Sequence, residues 1–199
     1  MPIPKQGRAF DEILDELGAK GSDDLDYRAG KSWSLVYYVD DDYYGFLKKA
    51  HNSYFSENGL NPMAFKSLKS LEDDVVSMTA QMLHGGADAV GTMTSGGTES
   101  ILMAMKAYRD RAKKKKPWLL RPEVILPSTA HVAFDKAAHY FGLRIKRAPI
   151  DENGQVSVRK VAQLINRKTI LIVGSAPQYP HGTIDPIHEL GTLAERRQI

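Results

Sequence analysis

The chain has 199 residues, 42% of them hydrophobic, which is enough to bury a core and to build one or two domains. It has no cysteine, which excludes disulfides and thiolate metal sites and suits a reducing compartment, so a cytoplasmic location is expected. Twenty-seven basic against 24 acidic residues leave a net charge of +3, too small a bias to imply a nucleic-acid surface. No uninterrupted apolar run approaches the roughly 18 residues of a membrane span, and the N-terminus lacks the basic-then-apolar order of an export signal.

Residues 1–60 read as an extended arm with short helices. Tyrosines and acids alternate in SLVYYVDDDYYGFLKKAHNSYFSENGLNP, while glycine, asparagine and proline interrupt any long periodicity. Asn61 and Pro62 then predict an N-cap and a first helical turn. Phe65, Leu68, Leu71, Val75, Met78 and Met82 follow at three- and four-residue steps until Gly85 and Gly86 end the helix. Residues 89–94 are expected as a short strand. Ile101, Met105, Tyr108 and Ala112 mark one face of a helix, and the basic run 113–116 sits where cations complement the negative end of its dipole. It is read as a solvated helix end.

Further on, the apolar residues 124–126 between two prolines predict a strand, and 132–140 a helix ended near Gly142. Residues 144–150 predict a strand, 158–165 a helix and 170–173 a buried strand. Asp185 and Pro186 are expected to cap a last helix carrying Leu190 and Leu193, for which no stop signal precedes Ile199, so the sheet reads as unfinished. Strands and helices in alternation predict an α/β fold with a largely parallel sheet. In such folds ligands bind beyond the carboxyl ends of the strands, which singles out the loops that follow strands.

Three such loops carry chemistry. In Thr94-Ser95-Gly96-Gly97-Thr98-Glu99-Ser100, two glycines let backbone approach a ligand, a helix start offers unpaired N–H groups, and Thr98 adds a hydroxyl. This suits a phosphate or another anion, although a plain turn capped by Ser95 or Thr98, with Glu99 in the first turn, accounts for the same residues. The Lys-Ser/Thr ending of a nucleotide P-loop is missing, and the dinucleotide fingerprint does not fit. In Ser128-Thr129-Ala130-His131-Val132-Ala133, the histidine falls between strand and helix. It can stack on a planar cofactor, bond a substrate or move a proton, or simply start the helix. In the polar loop 174–186, His181 and Asp185 are explained by turn and cap chemistry, and Ser175 is the better functional candidate.

Taken together, TSGGTESILMAMKAYRD, HVAFDKAAHYFG and SAPQYPHGTIDP, in this order and at these separations, resemble the sphingosine-1-phosphate lyases. These belong to the wider group of pyridoxal 5'-phosphate (PLP)-dependent decarboxylases, and the resemblance runs from about residue 37 to 199. It implies an aspartate-aminotransferase-like fold (fold type I) with a mainly parallel large-domain sheet, a smaller C-terminal domain, and active sites shared across a homodimer. On that basis residues 1–60 form an N-terminal arm and dimer-contact segment, and 61–199 the first half of the PLP-binding large domain.

The resemblance also implies roles. Gly97 and Thr98, with Gly96 close by, hold the PLP phosphate; His131 stacks on the pyridine ring; Ser175 contacts its edge. Tyr37 matches a tyrosine that reaches the active site, though a packed aromatic is an equally good account of it. Asn61 stands where well-known lyases carry a histidine near the substrate phosphate, and asparagine can donate a hydrogen bond there but brings no charge. No metal is implied.

The activity implied is that of a carbon–carbon lyase, cleaving a phosphorylated sphingoid base by retro-aldol to a long-chain aldehyde and phosphoethanolamine. An amino-acid decarboxylase is the alternative reaction, and a truncated, non-catalytic binding or assembly module the alternative of another class. The lysine that binds PLP covalently, and the aspartate that keeps its ring nitrogen protonated, lie in the family beyond the point matching Ile199. Lys136, inside the histidine motif, is read as structural. The 199 residues alone are therefore expected to be inactive, to be completed by the remainder of the polypeptide and a partner subunit, and, lacking the anchor of the eukaryotic members, to be soluble and bacterial-type.

Overall fold

The computed structural model describes residues 3–32 and 36–199, so Trp33, Ser34 and Leu35, which lead to Tyr37, lie outside it. Two units follow one another along the chain, Met1–Asp73 and Asp74–Ile199. The first contains helices α1 (Phe10–Lys20) and α2 (Asp41–Ser53), and helix α3 (Lys66–Met82) runs on from it into the second. α2 starts cleanly because Asp40 accepts the Tyr43 N–H at 2.7 Å and two further acids occupy the first turn.

Between α1 and α2, Arg28 lies over the rings of Tyr27, Tyr38 and Tyr44, 5.4–6.0 Å from their centroids, and pairs with Asp41 at 2.5 Å. α3 begins later than the sequence suggests. Asn61 takes the N–H groups of Ala64 and Phe65 on its carbonyl and that of Ala64 on its side chain, closing a separate turn, and the helix opens only at Lys66. At the other end, the left-handed residue is His84, and Gly85 N–H returns to Ala80 O at 2.7 Å.

In the second unit, residues 89–94 form no strand. Val90 is 94% exposed, and no described strand pairs with this stretch, so its alternation has no ladder to join. Helix α4 (Gly97–Lys115) follows and ends in the expected basic turn. Then strand and helix alternate: β1 (Glu123–Pro127), α5 (Ala133–Phe141), β2 (Arg144–Ala148), α6 (Val158–Leu164), β3 (Thr169–Ile172) and α7 (Ile187–Arg197). Gly142 closes α5 in the left-handed conformation, as its position after the periodic run predicts.

All three strands are parallel, in the order β2-β1-β3. β1 is central and every one of its residues is buried, which explains its unbroken apolar run. Its side chains serve both faces. Val124 and Leu126 join Met105 and Ala112 of α4 and Ala137 and Ala138 of α5, while Ile125 joins Val161 of α6 and Leu190 of α7. The sheet thus lies between an α4/α5 layer and an α6/α7 layer.

At the amino edge of the sheet, Glu123 is only 3% exposed and meets Lys146 and Asn166, each at 2.8 Å. Burial would push its carboxyl up, but these partners, with Arg144 farther off, outweigh that and hold it below the ordinary carboxylate range. A carboxylate whose folded pKa is depressed adds stability above its unfolded pKa and loses it as pH falls through the folded value. We therefore expect Glu123→Gln to destabilise the protein by about 1–3 kcal/mol near neutral pH. In urea titrations the difference from the unsubstituted protein should vanish once the pH falls below the carboxylate range; a difference that persists unchanged in acid would contradict this account.

Candidate active site

Because β1 connects through α5 to β2 on one side, and β3 lies on its other side and feeds α7 on the opposite face, the strand order reverses between β1 and β3. A crevice at the carboxyl ends of two such strands is where open α/β sheets bind ligands. His131 lies four residues beyond the end of β1 and Ser175 three beyond the end of β3, so both belong to this edge. α4 brings the third element. Its final residues, Ala112 and Lys115, line a cleft with Thr169 and Ile170 at the start of β3, so its C-terminus lies at the amino edge. At 19 residues it is roughly 28 Å long, longer than the strands, and its N-terminus with Gly97 and Thr98 points to the carboxyl edge.

That N-terminus is open. Gly96 holds φ 156° and ψ 176°, a conformation reserved in practice for glycine, and no side chain caps the helix. Ser95 and Thr98 do not cap it, as a plain turn would require. Glu99 instead reaches back to accept the Ser95 N–H at 2.6 Å, which holds its carboxyl below the usual range, and Thr94 and Ser100 share a hydroxyl contact at 2.7 Å. These bonds fix the turn from outside the first-turn amides. A methyl group built on either Gly96 or Gly97 would meet no atom within 4 Å, so nothing packs against the turn at these two positions.

The β1–α5 turn is held by Arg147 of β2, which donates to Pro127 O at 3.0 Å and grips both carboxylate oxygens of Asp135 at 2.6 Å. Inside it, His131 Nδ1 accepts the Ala133 N–H at 3.1 Å, which starts the helix and leaves Nε2 as the ring nitrogen free to face a ligand. Both readings of His131 are thus compatible. Two residues earlier, Thr129 Oγ1 is buried with no hydrogen-bond partner among the described residues.

The loop after β3 is fixed by Asp185, which is not the helix cap expected of it. It is 2% exposed, its two carboxylate oxygens take the N–H groups of Val156 at 2.9 Å and Ser175 at 2.8 Å, and α7 starts without a side-chain cap. Buried beside α7 and deprived of water, the carboxylate finds its donors in two distant backbone segments. Gly174 permits the close approach, since a methyl there would stand 2.8 Å from Leu190 and 2.9 Å from Ile187. His181 is tied to Gln178 by two hydrogen bonds and is structural. Tyr37 and Asn61 belong to the first unit, Tyr37 fully exposed and Asn61 in the turn described above. Asp185, Arg147 and the Glu99 clasp were not evident from sequence, because each acts through a partner far away or through backbone.

Fold and edge together define a parallel α/β domain with an uncapped helix start and two strand-end loops on one edge. Residues 54–199 match the aminotransferase class-V model, and the chain belongs to that family. It is 44% identical to sphingosine-1-phosphate lyase 1 of Rattus norvegicus over 197 residues, 99% of this chain and 34% of that one. A solved sphingosine-1-phosphate lyase of Burkholderia pseudomallei matches with a TM-score of 0.88 at 34% identity, over all of this chain and 47% of that one. Glutamate decarboxylase of Lactobacillus brevis shares the fold at a TM-score of 0.81 and 21% identity, over all of this chain and 46% of its own. The chain spans about a third of the length of the curated relatives it matches.

The two glycines of the turn separate strain from space. Gly96→Ala should cost about 1–3 kcal/mol in a thermal or urea melt through backbone strain alone, although its methyl is unopposed. Gly97→Ala, at a first helical position with clear space, should leave the melt nearly unchanged. Equal losses at both positions would refute this reading.

Proposed function

We propose that the chain supplies the phosphate- and ring-binding half of a PLP site in a lyase that cleaves a phosphorylated sphingoid base. The observation that carries this reading is that the His131 turn and the Ser175 loop follow the carboxyl ends of two neighbouring strands at the switch point, while α4 runs the other way with its uncapped start. It gains its substrate class from the match to named sphingosine-1-phosphate lyases along nearly the whole chain.

The residues present suit the cofactor. The amides of Gly97 and Thr98 are uncapped, nothing packs on the Cβ positions of the two glycines, and the positive end of the helix dipole favours a phosphate's charge. The imidazole of His131, braced through Nδ1, offers a flat face to a ring, and the Thr129 hydroxyl still lacks a partner. Ser175, its backbone clasped by Asp185, stands at the ring's edge. When bound, PLP supplies an electron sink for the carbon–carbon bond that breaks. The chain's part is to grip the phosphate, set the ring plane with His131 and fix the edge with Ser175.

Tyr37 and Asn61 are assigned to the substrate, Asn61 donating a hydrogen bond to its phosphate where a cation would bind more strongly. Residues 1–60 serve as arm and dimer-contact segment and 61–199 as the first half of the cofactor domain, in a cytoplasmic homodimer. No helix of the described residues is long and apolar enough to cross a membrane. The covalent lysine and the partner of the ring nitrogen come from outside these 199 residues, so the activity is that of a longer polypeptide.

The complete protein, given sphingosine 1-phosphate and PLP, should release a long-chain aldehyde and phosphoethanolamine, both identified by mass spectrometry. Borohydride should trap PLP on a lysine outside residues 1–199. His131→Ala should weaken PLP binding roughly 2- to 10-fold, and Gly97→Ala roughly 10- to 100-fold, because its methyl would crowd the phosphate although the amide N–H remains. Carbon dioxide from an α-carboxylate substrate would transfer the assignment to an amino-acid decarboxylase, and a protein that binds no PLP would end it.

A further inference from the structure

The tyrosine-rich stretch before α2 contains an arrangement that the cofactor site does not use. Arg28 lies 5.4 Å from the Tyr38 ring centroid, 5.9 Å from Tyr44 and 6.0 Å from Tyr27. The Tyr27 and Tyr44 rings meet Tyr38 edge-on at 5.7 and 5.9 Å. Asp41 closes the group, accepting from Arg28 at 2.5 Å and from the Tyr38 hydroxyl at 3.0 Å on the same carboxylate oxygen. Lys48 adds a second cation 4.8 Å from the Tyr44 ring.

An arginine has five donors and a flat face, so one side chain can stack on several rings while it pairs with a carboxylate. The result immobilises Tyr38 at both ends, its ring by Tyr27, Tyr44 and the guanidinium, its hydroxyl by Asp41. The neighbours of Tyr38 are treated differently. Tyr38 is half-buried, whereas Tyr37 is 96% and Val39 72% exposed, the alternation of an extended segment whose side chains point to opposite sides. Fixing Tyr38 therefore fixes the direction in which Tyr37 leaves the backbone.

We propose that Arg28 is a positioning residue for Tyr37, acting through Tyr38 and Asp41 to present the Tyr37 side chain to substrate. This rests on the assignment of Tyr37 to the substrate made above. An unbraced tyrosine on an exposed connecting segment would sample several directions, and misplacement of a contacting group by about 1 Å can cost as much as 100-fold in rate.

The test is a double-mutant cycle in the complete holoenzyme, comparing Tyr37→Phe, Arg28→Met and the double variant by kcat and KM, with PLP absorbance and melting temperature followed in parallel. Tyr37→Phe lowering kcat/KM supports the parent assignment. On that footing, Arg28→Met should lower kcat/KM roughly 10-fold or more with PLP content unchanged, and should add little once Tyr37 is already Phe. Arg28→Lys, which keeps a cation near the rings and Asp41, should recover part of the loss. Tyr38→Phe, which removes only the hydroxyl held by Asp41, should give a smaller loss of the same kind. If Tyr37→Phe lowers activity while Arg28→Met does not, or if the two losses multiply, the positioning role is overturned and the substrate assignment stands. If Tyr37→Phe leaves kcat/KM unchanged, both fall.

Discussion

Burying one strand on both faces sets everything else in the second unit. β1 has no exposed residue, so helices must cover it on either side, and its two neighbours must be parallel strands reached by crossovers. One crossover carries the chain to β2 on one flank and the next carries it over to β3 on the other. That reversal falls above the carboxyl ends of β1 and β3, where open α/β sheets bind ligands.

The crevice is furnished from backbone more than from side chains. At the α4 end, the groups offered are amides, made available because Glu99 satisfies Ser95 from the flank and no side chain blocks the helix start. At the β1 end, an arginine on the adjacent strand ties the last strand carbonyl to the first turn of α5, so the histidine between them has little room to wander. Both ends are braced by hydrogen bonds within the chain itself, and such preorganisation limits the ordering that any binding there would require.

Much of this was legible in the sequence, for identifiable reasons. The apolar run between Pro122 and Pro127, the helix stopped by Gly142 and the buried run before Gly174 gave strands and helices whose order placed Gly97, His131 and Ser175 in loops after strands or at a helix start. What stayed hidden depends on partners remote in sequence or on none. Asp185 before a proline reads as a helix cap, and nothing local reveals that its second oxygen holds Val156, 29 residues earlier. Arg147 reads as a solvent-facing strand residue until β1 and α5 are set beside it. Residues 89–94 have the alternation of a strand, but a strand exists only with a neighbour to bond. Asn61 has cap chemistry and uses it, on a turn instead of the helix that follows.

The Asp185 clasp makes the two sides of the crevice mechanically unequal. The Ser175 side cannot shift without dragging the hairpin-like link at Val156, because one carboxylate is knotted to both, whereas the Gly96–Gly97 turn is braced by bonds among residues 94–100. One flank is thus moored to a segment far away in the chain, and the other only to its own neighbourhood. A disturbance at residue 175 would therefore be felt at residue 156, whereas one at the glycines would stay local.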